Sequence, residues 1–318
     1  MRTLVLATLL LAAAPSAPAH ACLWDYDTLK EEALGQPEVT ALVGGDLHKH
    51  SKAFYAAKVE YTKSLVADPK TPKLEERFDD LAVAYAKLGK LDDALATLDA
   101  KDKQFPGAYT TFANRGTFLA MKGDLAGALD HLKKAIAKNP DAHFGREKYQ
   151  VQFLEFLVKL KQDPKLAETN FVGVDRRVMM GGTTMSAKKR TANPAVIAIA
   201  GLVRFGDGQD NPHLWYGLGW ALLSQGDAQL AMRAFRRAEL LGHPKGKADG
   251  AIALSVLPKP NIGYTDPASN PKAEKVWETT TAAQLDKEWA VGKATDEKRQ
   301  AAEDKQVAAK QYKAVFGY

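Results

Sequence analysis

The chain of 318 residues contains one cysteine, Cys22, and a thiol is an intrinsically strong nucleophile. It lies at the extreme N-terminal side of the sequence, where no scaffold would hold it against a base. A metal centre would need three or four convergent ligands. Asp25 with Asp27 and the His48-x-His50 pair each supply two, and neighbours two apart on a helix point in different directions. Gly181-Gly182-Thr183-Thr184-Met185-Ser186 is followed by Lys188, without the spacing by which a phosphate loop places lysine directly after its last glycine. Asp207-Gly208-Gln209-Asp210-Asn211 lacks the alternating ligands and distal glutamate of a calcium loop. His131 is expected as half-exposed filler on a helix. These patterns predict no catalytic residue, no metal site and no cofactor.

Charge narrows the partners. A formal net charge of +6 is mild for this length. The basic residues gather at Arg176-Arg177, Lys188-Lys189-Arg190 and Arg233, Arg236, Arg237, where an anionic surface could act. The last three are expected on an outer, solvated helix face. No nucleic-acid-binding module is recognisable, and nucleic acid is not expected as a partner.

What must position any functional side chain is a repeat. Gly89, Ala94 and Pro106 recur thirty-four residues on as Gly123, Ala128 and Pro140, and Trp215-x-x-Leu218-Gly219, Gly226, Ala231, Phe235 and Ala238 fall at the same internal offsets near Pro212. Within each copy, apolar residues at helical spacing, such as Phe78, Leu81, Ala84 and Tyr85, predict a first helix. Glycine supplies its left-handed exit, and a second helix follows. Proline ends that second helix in the first two copies, because it cannot donate the next hydrogen bond. Small residues occupy the crossings: Ala82 and Ala94, Gly116 and Ala128, Gly219 and Ala231. Their size lets helix axes approach to about 8–10 Å.

This pattern resembles the tetratricopeptide repeat. The resemblance implies an all-α, right-handed helix–turn–helix solenoid with N- and C-terminal capping helices. The repeats are expected at 75–142 (two tandem units) and 212–245. Between them, 143–211 is expected as one enlarged unit: His143–Lys161, then an insertion over 163–192, then Pro194–Phe205, capped by Asn193. The capping helices are expected within 22–74, at Ala53–Val66, and within 246–271, at Ala248–Leu257. The tail, 272–318, mixes both charge signs and carries Val276, Trp277, Leu285 and Trp289 as a thin apolar stripe. It is expected as a solvated charged helix, with a partner-binding helix or a coiled coil as the other readings.

The resemblance also implies a concave groove, lined by the first helices, that takes a protein or peptide partner. Carried over position by position, the lining is Glu76, Asp79, Val83 and Lys87, then Thr110, Ala113, Thr117 and Met121, then His213, Tyr216, Trp220 and Ser224. Tyr216 and Trp220 are the leading contacts, since aromatic side chains with a polar handle dominate binding hot spots; alternatively, Trp220 packs beneath the insertion or the capping helix. The carboxylate clamp of the chaperone-binding members uses Lys and Asn. Asp79 and Val83 stand at those first-repeat positions, and only Asn114 matches.

Residues 1–21 read as an export signal: Arg2, the apolar run Leu4–Ala14, and the small-residue pattern Ala19-His20-Ala21. The run is too short to span a bilayer, and no other stretch approaches a span. Cys22 stands next to the expected cut, where a lipid could be attached, or it is an incidental thiol. Cys22-Leu23-Trp24-Asp25-Tyr26-Asp27-Thr28-Leu29, together with Asn139–Gln150, resembles exported bacterial tetratricopeptide proteins. The expectation is therefore an exported, non-catalytic adaptor, periplasmic or extracellular. The alternative is a lipid-anchored structural or assembly component of the bacterial envelope.

Overall fold

In the computed structural model, residues 39–141, 145–174, 194–206, 208–257 and 271–318 are described. The leader, Cys22, Asp25, Asp27, His143, Asn193 and the stretch of the insertion holding Arg176-Arg177, Gly181–Ser186 and Lys188–Arg190 lie outside them, as does Asp207. The described residues contain helices and no strand. In chain order the α-helices are α1 (Val39–Val43), α2 (Lys52–Val66), α3 (Leu74–Lys87), α4 (Leu91–Gln104), α5 (Tyr109–Met121), α6 (Leu125–Lys138) and α7 (Arg146–Gln162). Then come α8 (Pro194–Arg204), α9 (Pro212–Ser224), α10 (Ala228–Leu240), α11 (Gly246–Ser255), α12 (Pro271–Val276), α13 (Ala282–Ala308) and α14 (Tyr312–Phe316). From α2 to α12 consecutive helices pack on one another, giving an all-α stack of helix pairs, while α1 packs on α8 and α10.

The same turn is built three times. Gly89, Gly123 and Gly226 hold φ of 76°, 88° and 87°, a region that costs glycine nothing. The following residue then donates back across the helix end: Lys90 N to Tyr85 O at 2.9 Å, Asp124 N to Leu119 O at 3.0 Å and Asp227 N to Leu222 O at 3.0 Å. These bonds satisfy carbonyls that a helix end otherwise leaves unpaired. Asp124 and Asp227 next cap α6 and α10 by accepting from Gly127 N and Leu230 N, while Asn211 caps α9 with Pro212 in its first turn.

At the crossings the small residues meet backbone and rings. A Cβ on Gly219 would stand 2.6 Å from the Phe235 ring, and one on Gly116 would stand 2.7 Å from Leu132 Cγ and 3.1 Å from Ala128 O. Phe235 is itself fully buried and a rigid ring cannot yield, so Gly219→Ala is expected to cost about 1–3 kcal/mol. A lowered urea midpoint with an unchanged slope would record it.

Helix α8 is apolar on all sides, with Ala195 through Val203 buried, as a helix surrounded by others must be. It packs on α7 and α9. Gly201 lets the Arg146 guanidinium of α7 lie against its backbone, where a Cβ would be 2.3 Å from Nε.

The tail is helical, and from Val291 to Gln306 it is mostly exposed, but it packs against the rest of the chain at several points. Trp277 is fully buried, set over Gly250 with its indole N–H donating to Glu239 at 3.0 Å. Trp289 packs edge-on to Trp215, with centroids 5.6 Å apart. Helix α13, 27 residues and therefore about 40 Å long, then runs from α10 to α2. It meets Lys49 N through Asp296, His50 through Glu303 and Ser51 through Asp304. The arginines expected on a solvated face are consumed on the way. Arg233 pairs with Glu288 and Arg236 with Asp286, each at 2.7 Å, and Arg237 lies 4.7 Å over Trp289. Four apolar residues in a mostly charged segment gave little periodic signal, yet each stripe member needs only one well-shaped site.

Candidate functional site

Two groove positions of the first two units, Asp79 and Thr117, lie in a buried polar row with Lys101, Asn114 and Gln150. On α3, Asp79 is 2 % exposed and its carboxylate accepts hydrogen bonds from Lys101 Nζ at 2.6 Å and from Asn114 Nδ2 at 3.1 Å. Lys101, from α4, is fully buried and also donates to Thr110 on α5. The row continues through Thr117, fully buried, which faces Gln150 of α7 at 3.4 Å. Burial pushes the Asp79 carboxyl up to about 6, against the opposing pull of Lys101, Thr110 and Asn114. Asp79 and Asn114 therefore serve as ties between adjacent units, and Val83 beside them is apolar core at 1 % exposure.

Lys87, Met121 and Ser224 remain half-buried, each in the last turn of a first helix. Lys87 Nζ donates to Phe205 O at 3.1 Å, Met121 packs beside the cluster around Phe118, and the Ser224 hydroxyl donates to Ala221 O at 2.7 Å.

Tyr216 and Trp220 do not stand at an open surface. They are 1 % and 0 % exposed, and both donate to one carboxylate, that of Asp249 on α11, the tryptophan at 3.2 Å. The reading in which Trp220 packs beneath the capping helix is the one the geometry matches. Asp249 has no apolar signature and sits in a helix of alanines and glycines, so sequence spacing offered nothing to pair it with α9. His243 stacks on Tyr216 with centroids 3.7 Å apart, and His213 lies edge-on to His243 at 5.0 Å. Desolvation drives His213 down to about 4 and His243 down to about 3, the latter helped by its neighbour.

Both imidazoles are thus held neutral below the ordinary 6.5. A histidine whose pKa falls on folding leaves the unfolded chain binding more protons, so stability drops as pH falls below 6.5. Each withdraws about 1.4 kcal/mol per pH unit in that window until its folded pKa is reached. Asp79 acts with opposite sign, since its raised pKa favours the fold on acidification between about 6 and 3.8. The histidine share is isolated by comparison: thermal midpoints from pH 7 to 4.5 are expected to fall more steeply for the native chain than for His213→Phe, His243→Phe.

The histidine pair near the first helix has other duties. His50 Nδ1 lies 2.7 Å from Glu303 and its ring stacks on Phe54, while His48 lies 3.6 Å from Asp46. His131 is half-buried against Phe112. Among the described residues no set of three or more His, Cys, Asp or Glu side chains is arranged to hold a metal, and no helix is long and apolar enough to cross a membrane.

A family model for the tetratricopeptide repeat matches residues 80–143 and 195–249. No curated protein matches the chain. Repeats of this kind suggest a protein-binding scaffold, and the family is typically non-catalytic. The turn built three times, the small residues at the crossings and the two matched regions agree, and the chain is a tetratricopeptide repeat protein.

Proposed function

We propose that this chain is an exported, non-catalytic scaffold that holds a protein or peptide partner along the first helices of its repeats. The observation that carries this reading is the row Lys87, Met121 and Ser224, partly solvent-accessible at matching positions of three units. A row at repeat spacing can read an extended partner side chain by side chain. His213, half-buried at the start of α9, contributes at the far end. The buried positions Asp79, Val83, Asn114, Thr117, Tyr216 and Trp220 set the shape of this face from beneath.

The test is crosslinking in intact cells followed by purification, comparing the native chain with Lys87→Glu, Met121→Glu after both give the same helical circular dichroism. A partner captured by the native chain and lost from the variant supports the reading; the same captured set from both removes this face from it. Export rests on Arg2, Leu4–Ala14 and Ala19-His20-Ala21, and sequencing of the mature protein is expected to begin at Cys22. The adjacency of Cys22 to that cut favours one second reading, a lipid-anchored envelope component. Mass spectrometry decides it, because an unmodified Cys22 leaves no anchor.

A further inference from the structure

The last residues of the sequence are seated like a ligand. Phe54, Ala57, Val307 and Phe316 form an apolar cluster separate from the cores of the repeats. Into it residues 312–318 insert three aromatic rings spaced i, i+4 and i+6. Phe316 is fully buried and meets Phe54 edge-on with centroids 5.1 Å apart; Tyr61 faces Tyr312 at 5.4 Å and Tyr318 at 6.0 Å. The polar groups are served as well. Tyr61 donates its hydroxyl proton to Tyr318 O at 2.9 Å, Thr62 lies 3.5 Å from the Tyr318 hydroxyl, and the Arg77 guanidinium lies 3.6 Å over the Tyr318 ring.

The connection to this segment is unlike a core connection. Lys310 turns the chain between α13 and α14 at φ 54°, a costly conformation for a side chain of that size. From Val291 to Gln306 every residue of α13 except Asp296 is at least partly exposed, and polar contacts to Lys49, His50 and Ser51 hold it. An anchor of buried aromatics, framed by Tyr and Arg and reached over a polar strut, has the composition of a recognition hot spot.

We propose that the corner between α2 and α3 is a peptide-docking site, closed in this structure by residues 312–318 of the same chain. The partner it fits is a short helical segment with two aromatic side chains one turn apart and a third two residues later. The chain's own segment is tethered, with an effective concentration on the order of millimolar, so an external segment enters once the tail is displaced. The inference does not depend on the row at Lys87, Met121 and Ser224, and either can fail alone.

The probe is a fluorescent peptide of residues 309–318. It is titrated against the full chain and against the full chain carrying Phe316→Ala and Tyr318→Ala, whose own tail cannot fill the site. Saturable binding to the variant, at least tenfold weaker binding to the unchanged chain, and none by a peptide carrying Phe316→Ala are expected. Hydrogen exchange in the variant is expected to rise in α2, α14 and the end of α13 while α3–α6 keep their protection. No binding to the variant, equal binding to both chains, or loss of protection throughout the repeats would each overturn the proposal. A dimer of the unchanged chain that disappears with Phe316→Ala would overturn it in favour of tail exchange between copies.

Discussion

Replacing Lys101 with methionine is expected to cost the fold about 3–5 kcal/mol, because the Asp79 carboxylate then stays buried without its cation. The methionine chain fills the space of the lysine stem, so little of the loss comes from packing. Asn114 still donates to Asp79, but a neutral amide cannot replace an ammonium at 2.6 Å. Removing the acid as well should recover much of the loss: in Asp79→Leu, Lys101→Met no charge is left stranded, and exchange of a whole buried pair for apolar groups is often near neutral. Urea unfolding of the native chain, both single variants and the double variant gives the coupling directly. If the double variant loses as much as the two singles together, the pair is not coupled. The Lys101→Met penalty should also shrink at pH 5 relative to pH 8, since a carboxyl already raised by burial takes up a proton on acidification and sheds its charge.

The second large effect is expected at Trp220. Trp220→Ala empties a fully buried ring site, which costs about 3–5 kcal/mol, and it removes one of the donors to Asp249. Tyr216→Phe keeps the ring and removes the other, at about 1–3 kcal/mol. Exchange protection should fall first in α9, α10 and α11, while α3 and α4 retain theirs, because repeat stability is carried by neighbouring units. Uniform loss across every helix would contradict that. A partner assay on Trp220→Ala would consequently read unfolding and not recognition, which is why the binding test above uses Lys87 and Met121.

The repeat was legible because its signals are local. Glycine at a turn, alanine or glycine at a crossing and proline at a helix end each act through their own backbone or their own size, and they recur at a fixed offset. The groove positions were legible only as positions. That Asp79 and Asn114 share a helix face follows from spacing; that they bind one another, and that a lysine from α4 completes them, depends on how closely neighbouring units stack. Tyr216 and Trp220 carried the composition of a hot spot, and the same composition suits a buried ring with one polar tip to satisfy. Which use is made of it was decided by Asp249, a residue in a helix with no amphipathic pattern. The tail was the least legible part, because its contacts with Lys49, His50, Ser51 and Phe54 join segments some 250 residues apart and leave no trace in either segment alone.

Those same joins bear on how the chain acquires its structure. A stack of helix pairs needs only short-range contacts and can form from any point outward, which favours fast folding. The contacts between the start of α2 and the end of α13 raise the contact order of an otherwise local topology, and the loop they close spans about 250 residues. They cannot form until residues 296–318 have been delivered, so the closing step should be late and should appear as a distinct slow phase. Truncation before residue 296 is expected to remove that phase while leaving the early helical signal in place.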